Sequence, residues 1–74
     1  MSTSFDPKAL FGARVRELRQ RRGFSQEELA DRARLHRNYV GGVERGERNI
    51  SLVNIIELAH ALSVKPGELP KRIV

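Results

Sequence analysis

Apolar positions along this chain recur at helical spacing and in separate blocks. Phe11, Val15 and Leu18 fall on one face of a first helix, at the three-to-four-residue interval of an amphipathic segment. Asp6 is placed to cap that helix with Pro7 at its first position and Phe5 stapled onto Leu10, and Gly23 marks its end. "FSQEEL" opens a second helix, joining a capping box of Ser25 with Glu28 to a staple of Phe24 on Leu29. That helix is expected to run to about Ala33, with Leu29, Ala30 and Ala33 as a buried stripe small enough for close helix packing. After His36, the side chains of Tyr39, Val40 and Val43 gather on one side of a third helix. A fourth is expected to start at Ser51, with an Ile50 to Ile55 staple and an apolar face of Leu52, Ile55, Ile56, Ala59 and Leu62. "SVKPGELP" permits at most one further turn, since Pro66 suits a first turn and Pro70 stops it. No segment alternates with period two over a useful length, so the pattern predicts an all-α, compact four- to five-helix bundle.

The third helix carries an anomaly. "RNYVGGVERGER" places Gly41 and Gly42 together, where each glycine costs roughly 0.8 to 1 kcal/mol against alanine in a helix. Arg37, Asn38, Gly41, Gly42 and Arg45 occupy the side opposite the apolar cluster, so both glycines are expected on the exposed face. A surface without side chains allows a bulky partner to come close. The alternative is that a loop begins at Gly41. Arg37 and Asn38 are residue types that pair bidentately with guanine and adenine in the major groove. A capped short helix, a turn of about three residues and a second helix that opens on Arg and Asn make a helix-turn-helix.

Length and charge sharpen this picture. At 74 residues a chain buries only about 60% of its unfolded surface, so help from a partner subunit is expected. There is no cysteine to add a disulfide or a thiolate metal site, and the net charge of +5 comes mainly from arginine. An acidic partner or a solubilising surface would account for that charge. In the run "RELRQRR" the last residues, Arg21 and Arg22, could approach backbone phosphates instead of forming a solvated face. No apolar run approaches a membrane span and no secretory leader is recognisable, so a soluble cytoplasmic protein with no membrane association is expected.

From residues 10–69 the chain resembles the phage-repressor, Cro-like (XRE) helix-turn-helix family, lambda-repressor-like in fold. "SQEELADRARLHRNYVGGVERGERN" is particularly similar to the controller proteins of restriction-modification systems. The resemblance implies that Gln26 grips a phosphate with its amide and the helix N-terminus, although an exposed polar residue would look the same. It implies base reading by Arg37 and Asn38, with Tyr39 near the DNA, and a loop at Arg48 and Asn49 that contacts backbone and base edges. Base reading is thus assigned to Arg37, Asn38, Tyr39 and Arg48, and backbone contact to Gln26, Arg45, Asn49 and Arg22. Tyr39 is equally suited to a core position with a wet hydroxyl. Arg19 and Glu44 match a pair that bridges the first and third helices.

Two positions depart from the family pattern. Arg34 stands where the turn usually has glycine, so either the turn differs or local strain is tolerated. His36 replaces the usual Ser, Thr or Asp cap, and would serve as a weaker cap or reach a phosphate.

Other chemistry finds no support. His36 and His60 have no carboxylate at metal-ligand spacing, no serine has an evident base, and the glycines match no phosphate or dinucleotide loop. No enzyme, metal or cofactor is expected. The leading expectation is a homodimeric, sequence-specific binder of double-stranded DNA that regulates transcription from a pseudo-palindromic operator. An antitoxin or coactivator-type module with a protein partner, and sequence-blind nucleic-acid binding, are the competing classes. Residues 1–5 are expected to form a flexible arm and 6–74 a single domain, with the dimer interface at Leu62, Val64, Leu69, Ile73 and Val74.

Overall fold

The computed structural model describes residues 6–70. Four α-helices, α1 (Pro7–Arg21), α2 (Gln26–Ala33), α3 (Arg37–Glu44) and α4 (Leu52–Leu62), are followed by a 3-10 turn at Pro66–Glu68. The expected arm, the Phe5 staple, and Ile73 and Val74 lie outside the described residues.

Every α-helix start has a side-chain acceptor for amides that the helix itself leaves unpaired. Asp6 accepts from the Lys8 amide at 3.1 Å, and Ser51 accepts from the Asn54 amide at 3.1 Å. At α2 the capping box closes in both directions: Ser25 Oγ accepts from the Glu28 amide at 3.0 Å, and Glu28 Oε1 accepts from the Ser25 amide at 2.8 Å. His36 caps α3, its Nδ1 accepting from the Asn38 amide at 3.0 Å. Caps of this kind are each worth about 0.5–2 kcal/mol, with the hydroxyl and carboxylate types stronger than the imidazole.

The four helices also stop in one way. A residue in the left-handed region follows the last turn (Gly23, Arg34, Gly46 and Ser63 in chain order). The next amide in each case reaches back to a carbonyl five residues earlier: Phe24 to Arg19, Leu35 to Ala30, Glu47 to Gly42 and Val64 to Ala59. This is the double-bonded C-terminal motif that normally brings an apolar residue back onto the helix. Phe24, Leu35 and Val64 do pack against the core. Glu47, in the corresponding place after α3, is charged and exposed.

The core lies among the four helices, with α3 packed against both α1 and α2, and α4 packed against α2. Phe11, Val15 and Leu18 meet Leu29, Ala30 and Ala33 from α2, and Val40 and Val43 from α3. Gly12 sets the approach of α1 to α3, since a Cβ there would collide with the carbonyl oxygens of Val43 and Glu44.

The fourth helix keeps Ile55, Ala59 and Leu62 of its expected apolar face on the core but turns the rest of that face outward. Leu58, Ala59 and Leu62 are its buried residues, whereas Leu52 and Ile56, expected inside, are 70% and 46% exposed. α2 and the 3-10 turn both pack on the Leu58 side, and that turn inserts Leu69 beneath α4. Leu62 and Leu69 are therefore core residues, 1% and 0% exposed, and are not available for the dimer interface expected of them. Val64 is half-buried against the same core. Arg14 fastens the 3-10 turn to α1 by donating from Nη2 to the Glu68 carbonyl at 3.2 Å.

Candidate nucleic-acid interface

Arg34, Leu35 and His36 join α2 to α3. Arg34 keeps the left-handed conformation that glycine usually supplies, with φ 60° and ψ 40°, at a cost of roughly 1–2 kcal/mol. The turn is thus retained with strain, and α3 runs unbroken through both glycines to Glu44.

An open groove of about 500 Å³ separates the N-terminus of α2 from the outer face of α3; it is lined by Arg19, Ser25, Gln26, Glu27, Arg37, Asn38, Gly41 and Arg45. Arg37 and Asn38 stand exposed in the first turn of α3. Beneath the groove, Arg19 donates from Nε to Glu44 Oε2 at 2.6 Å and from Nη2 to Glu44 Oε1 at 3.1 Å. Its Nη1 donates to the Phe24 carbonyl at 2.9 Å. The Glu44 side chain is 3% exposed and also accepts from Gln26 Nε2 at 3.0 Å. One N–H of the Gln26 amide is engaged in this way, which orients the group at the mouth of the groove and leaves the second N–H for a ligand. Neither this bond nor its consequence is visible in the local sequence, because the partners are 18 residues apart.

The glycines are not bare surface. Both are buried, because arginine side chains fold across the space that their missing Cβ atoms leave. A Cβ on Gly41 would meet Arg45 Nη1 at 3.1 Å and Gln26 Oε1 at 3.4 Å, and one on Gly42 would meet Arg48 Cγ at 3.0 Å. Arg45 donates from Nε to Glu47 Oε2 at 3.0 Å. That bond raises the Arg45 pKa and holds the Glu47 carboxyl below its usual range, with the charge of Arg48 adding to the effect on Glu47. Glu47 is anionic at neutral pH.

Arg48 and Asn49 lie on a neighbouring flank, where they line a cavity of about 300 Å³ with Pro7, Lys8, Phe11 and Ile50. The Arg48 guanidinium stands 5.5 Å from the centre of the half-buried Tyr39 ring. Tyr39 Oη accepts from Asn54 Nδ2 at 3.1 Å, tying α3 to the first turn of α4. Sequence reasoning missed Asn54, and nothing within a few residues of it points to this contact. Arg22, expected near DNA backbone, stands exposed and donates from Nε to the Leu62 carbonyl at 3.1 Å. The unpaired carbonyls and negative dipole end of α4 supply its partner. Among the described residues no group of three His, Asp or Glu side chains is placed to hold a metal ion. No described helix is long and apolar enough to cross a membrane.

Comparison with known proteins accords with this geometry. The family model described as Helix-turn-helix (HTH_3) matches residues 15–69. The chain is 46% identical over 63 residues to the control protein C.BamHI of Bacillus amyloliquefaciens, covering 84% of this chain and 78% of that one. It is 43% identical over 67 residues to the control protein C.SmaI of Serratia marcescens, covering 90% and 80% respectively. The crystal structure of the restriction-modification controller protein C.AhdI from Aeromonas hydrophila superposes with a TM-score of 0.81 at 61% identity, over 82% of this chain and 92% of that one.

Proposed function

Because this chain belongs to the XRE-type helix-turn-helix family, we propose that it binds double-stranded DNA sequence-specifically as a homodimer and regulates transcription as a restriction-modification controller. The observation that carries the reading is the convergence of Arg37, Asn38, Gln26 and Arg45 on one open groove beside the outer face of α3. With α3 in the major groove, Arg37 and Asn38 read base edges from its first turn. Gln26 and the α2 N-terminus take a backbone phosphate, and Arg45 and Asn49 take others. Arg48 and Tyr39 extend base contact to the flank. Arg19 and Glu44 hold the two helices in register and touch no DNA.

The dimer contact in this reading lies on α4, where Leu52, Val53 and Ile56 are 70%, 65% and 46% exposed. These positions share one helical face and suit a self-complementary two-fold contact. The same strip favours the competing class, a module that binds a different protein. A second copy is the occupant assigned here because a chain of this size gains most from added burial.

Selection of bound sites from random duplexes tests the reading as a whole. Pseudo-palindromic sites with half-site centres about 10 base pairs apart are expected. Binding without enrichment would replace it with sequence-blind binding, and enrichment of a lone half-site would remove the dimer.

A further inference from the structure

We propose that Glu47 is an internal competitor for DNA phosphate, holding Arg45 folded over Gly41 while the protein is free. The inference rests on the reading of α3 as the DNA-facing helix, and four observations support it. First, Glu47 occupies the place where the corresponding ends of α1, α2 and α4 put an apolar residue against the core. A carboxylate there gives up a packing contact that Phe24, Leu35 and Val64 make. Second, its position is imposed by the backbone, since the Glu47 amide donates to the Gly42 carbonyl at 2.9 Å. Third, its carboxylate accepts from Arg45 at 3.0 Å, while the arginines lie over the Cβ positions of Gly41 and Gly42. Fourth, the Arg45 and Glu47 side chains are 60% and 58% exposed, so the pair is weak enough to exchange for another anion.

An approaching phosphate must therefore displace one anion from Arg45 and tolerate its charge nearby. Both effects lower affinity for any duplex, and they act most where phosphate contacts are the only attraction. The backbone bond keeps the Glu47 Cα beside the end of α3, so its carboxylate stays within side-chain reach of Arg45 after the pair opens.

The test uses the full chain and measures fluorescence anisotropy on a selected duplex and on a scrambled duplex of equal length, across a salt series. Glu47→Gln keeps the backbone bond and the side-chain shape. It is expected to tighten binding to both duplexes about threefold at low salt and to steepen the slope of log affinity against log salt by about one unit. Glu57→Gln, an equal charge change on α4, should give a smaller gain. In an Arg45→Gln background the gain from Glu47→Gln should largely vanish. The proposal is overturned if wild type and Glu47→Gln bind alike with salt-dependent affinity, if Glu57→Gln matches the gain, or if the gain survives without Arg45. Failure of wild type and variant to bind either duplex at low salt would overturn the DNA-binding reading as well.

Discussion

Arg37 projects from the first turn of α3 with no ion-pair partner among the described residues, so its loss leaves the fold intact and removes a contact made only in the complex. Arg37→Ala is expected to weaken binding to the selected site by about 1–3 kcal/mol and to broaden base choice at one position per half-site. Binding titrations on single-base variants of that site provide the check; an equal loss on all of them would reassign Arg37 to phosphate. Gln26→Ala should instead lower affinity nearly evenly across sequences. Glu44→Ala acts on stability, because it strands the Arg19 guanidinium, 11% exposed, beneath the groove. A destabilisation of about 3–5 kcal/mol is expected from urea unfolding, a large share of the roughly 5–15 kcal/mol that holds a domain folded.

The two short helices of the helix-turn-helix carry costs that local physics would avoid. Replacing Gly41 or Gly42 by alanine should stabilise α3 by up to about 1 kcal/mol, since the atoms met by each new Cβ are mostly on flexible side chains. DNA affinity should fall in the same variants, because a methyl on Gly41 narrows the groove that this residue lines and one on Gly42 displaces Arg48. Thermal unfolding and binding titrations should therefore move in opposite directions, and a loss of both would mean that the segment needs its glycines for the fold. The turn itself offers a second test. Arg34 sits at φ 60°, so Arg34→Gly should raise stability by about 1 kcal/mol through relief of the left-handed strain, measurable as a higher urea midpoint with an unchanged slope.

At the scale of the molecule, the exposed strip on α4 and the buried Leu69 respond differently to substitution. A Leu52→Glu, Val53→Glu double variant should stay folded, because both positions are mostly exposed, yet sediment as a monomer across micromolar concentrations. Leu69→Ala, at a fully buried position, should cost about 2–5 kcal/mol of stability. A two-fold dimer through α4 is expected to place its recognition helices about 34 Å apart, and loss of the dimer should reduce protection of a full operator to independent half-sites. If the double variant remains dimeric, the interface lies elsewhere.

What the chain determined by itself is whatever depends on neighbours within a few residues. The caps at Asp6, Ser25 and Ser51, the stop at Gly23 and the outward position of Arg37 and Asn38 are all of this kind. Hydrogen bonds across a single turn and the 100° step of a helix set them whatever surrounds the helix. The tertiary structure decided which side of α4 faces inward, because Leu52, Ile56 and Leu58 are comparably apolar and only the packing of α2 and the 3-10 turn selects Leu58. It buried Leu69 and drew Arg22 to the end of α4. It also brought Asn54 to Tyr39 and laid Arg45 and Arg48 over the glycines. Long arginine and amide side chains choose among partners brought close by packing, and spacing along the chain carries no record of that choice.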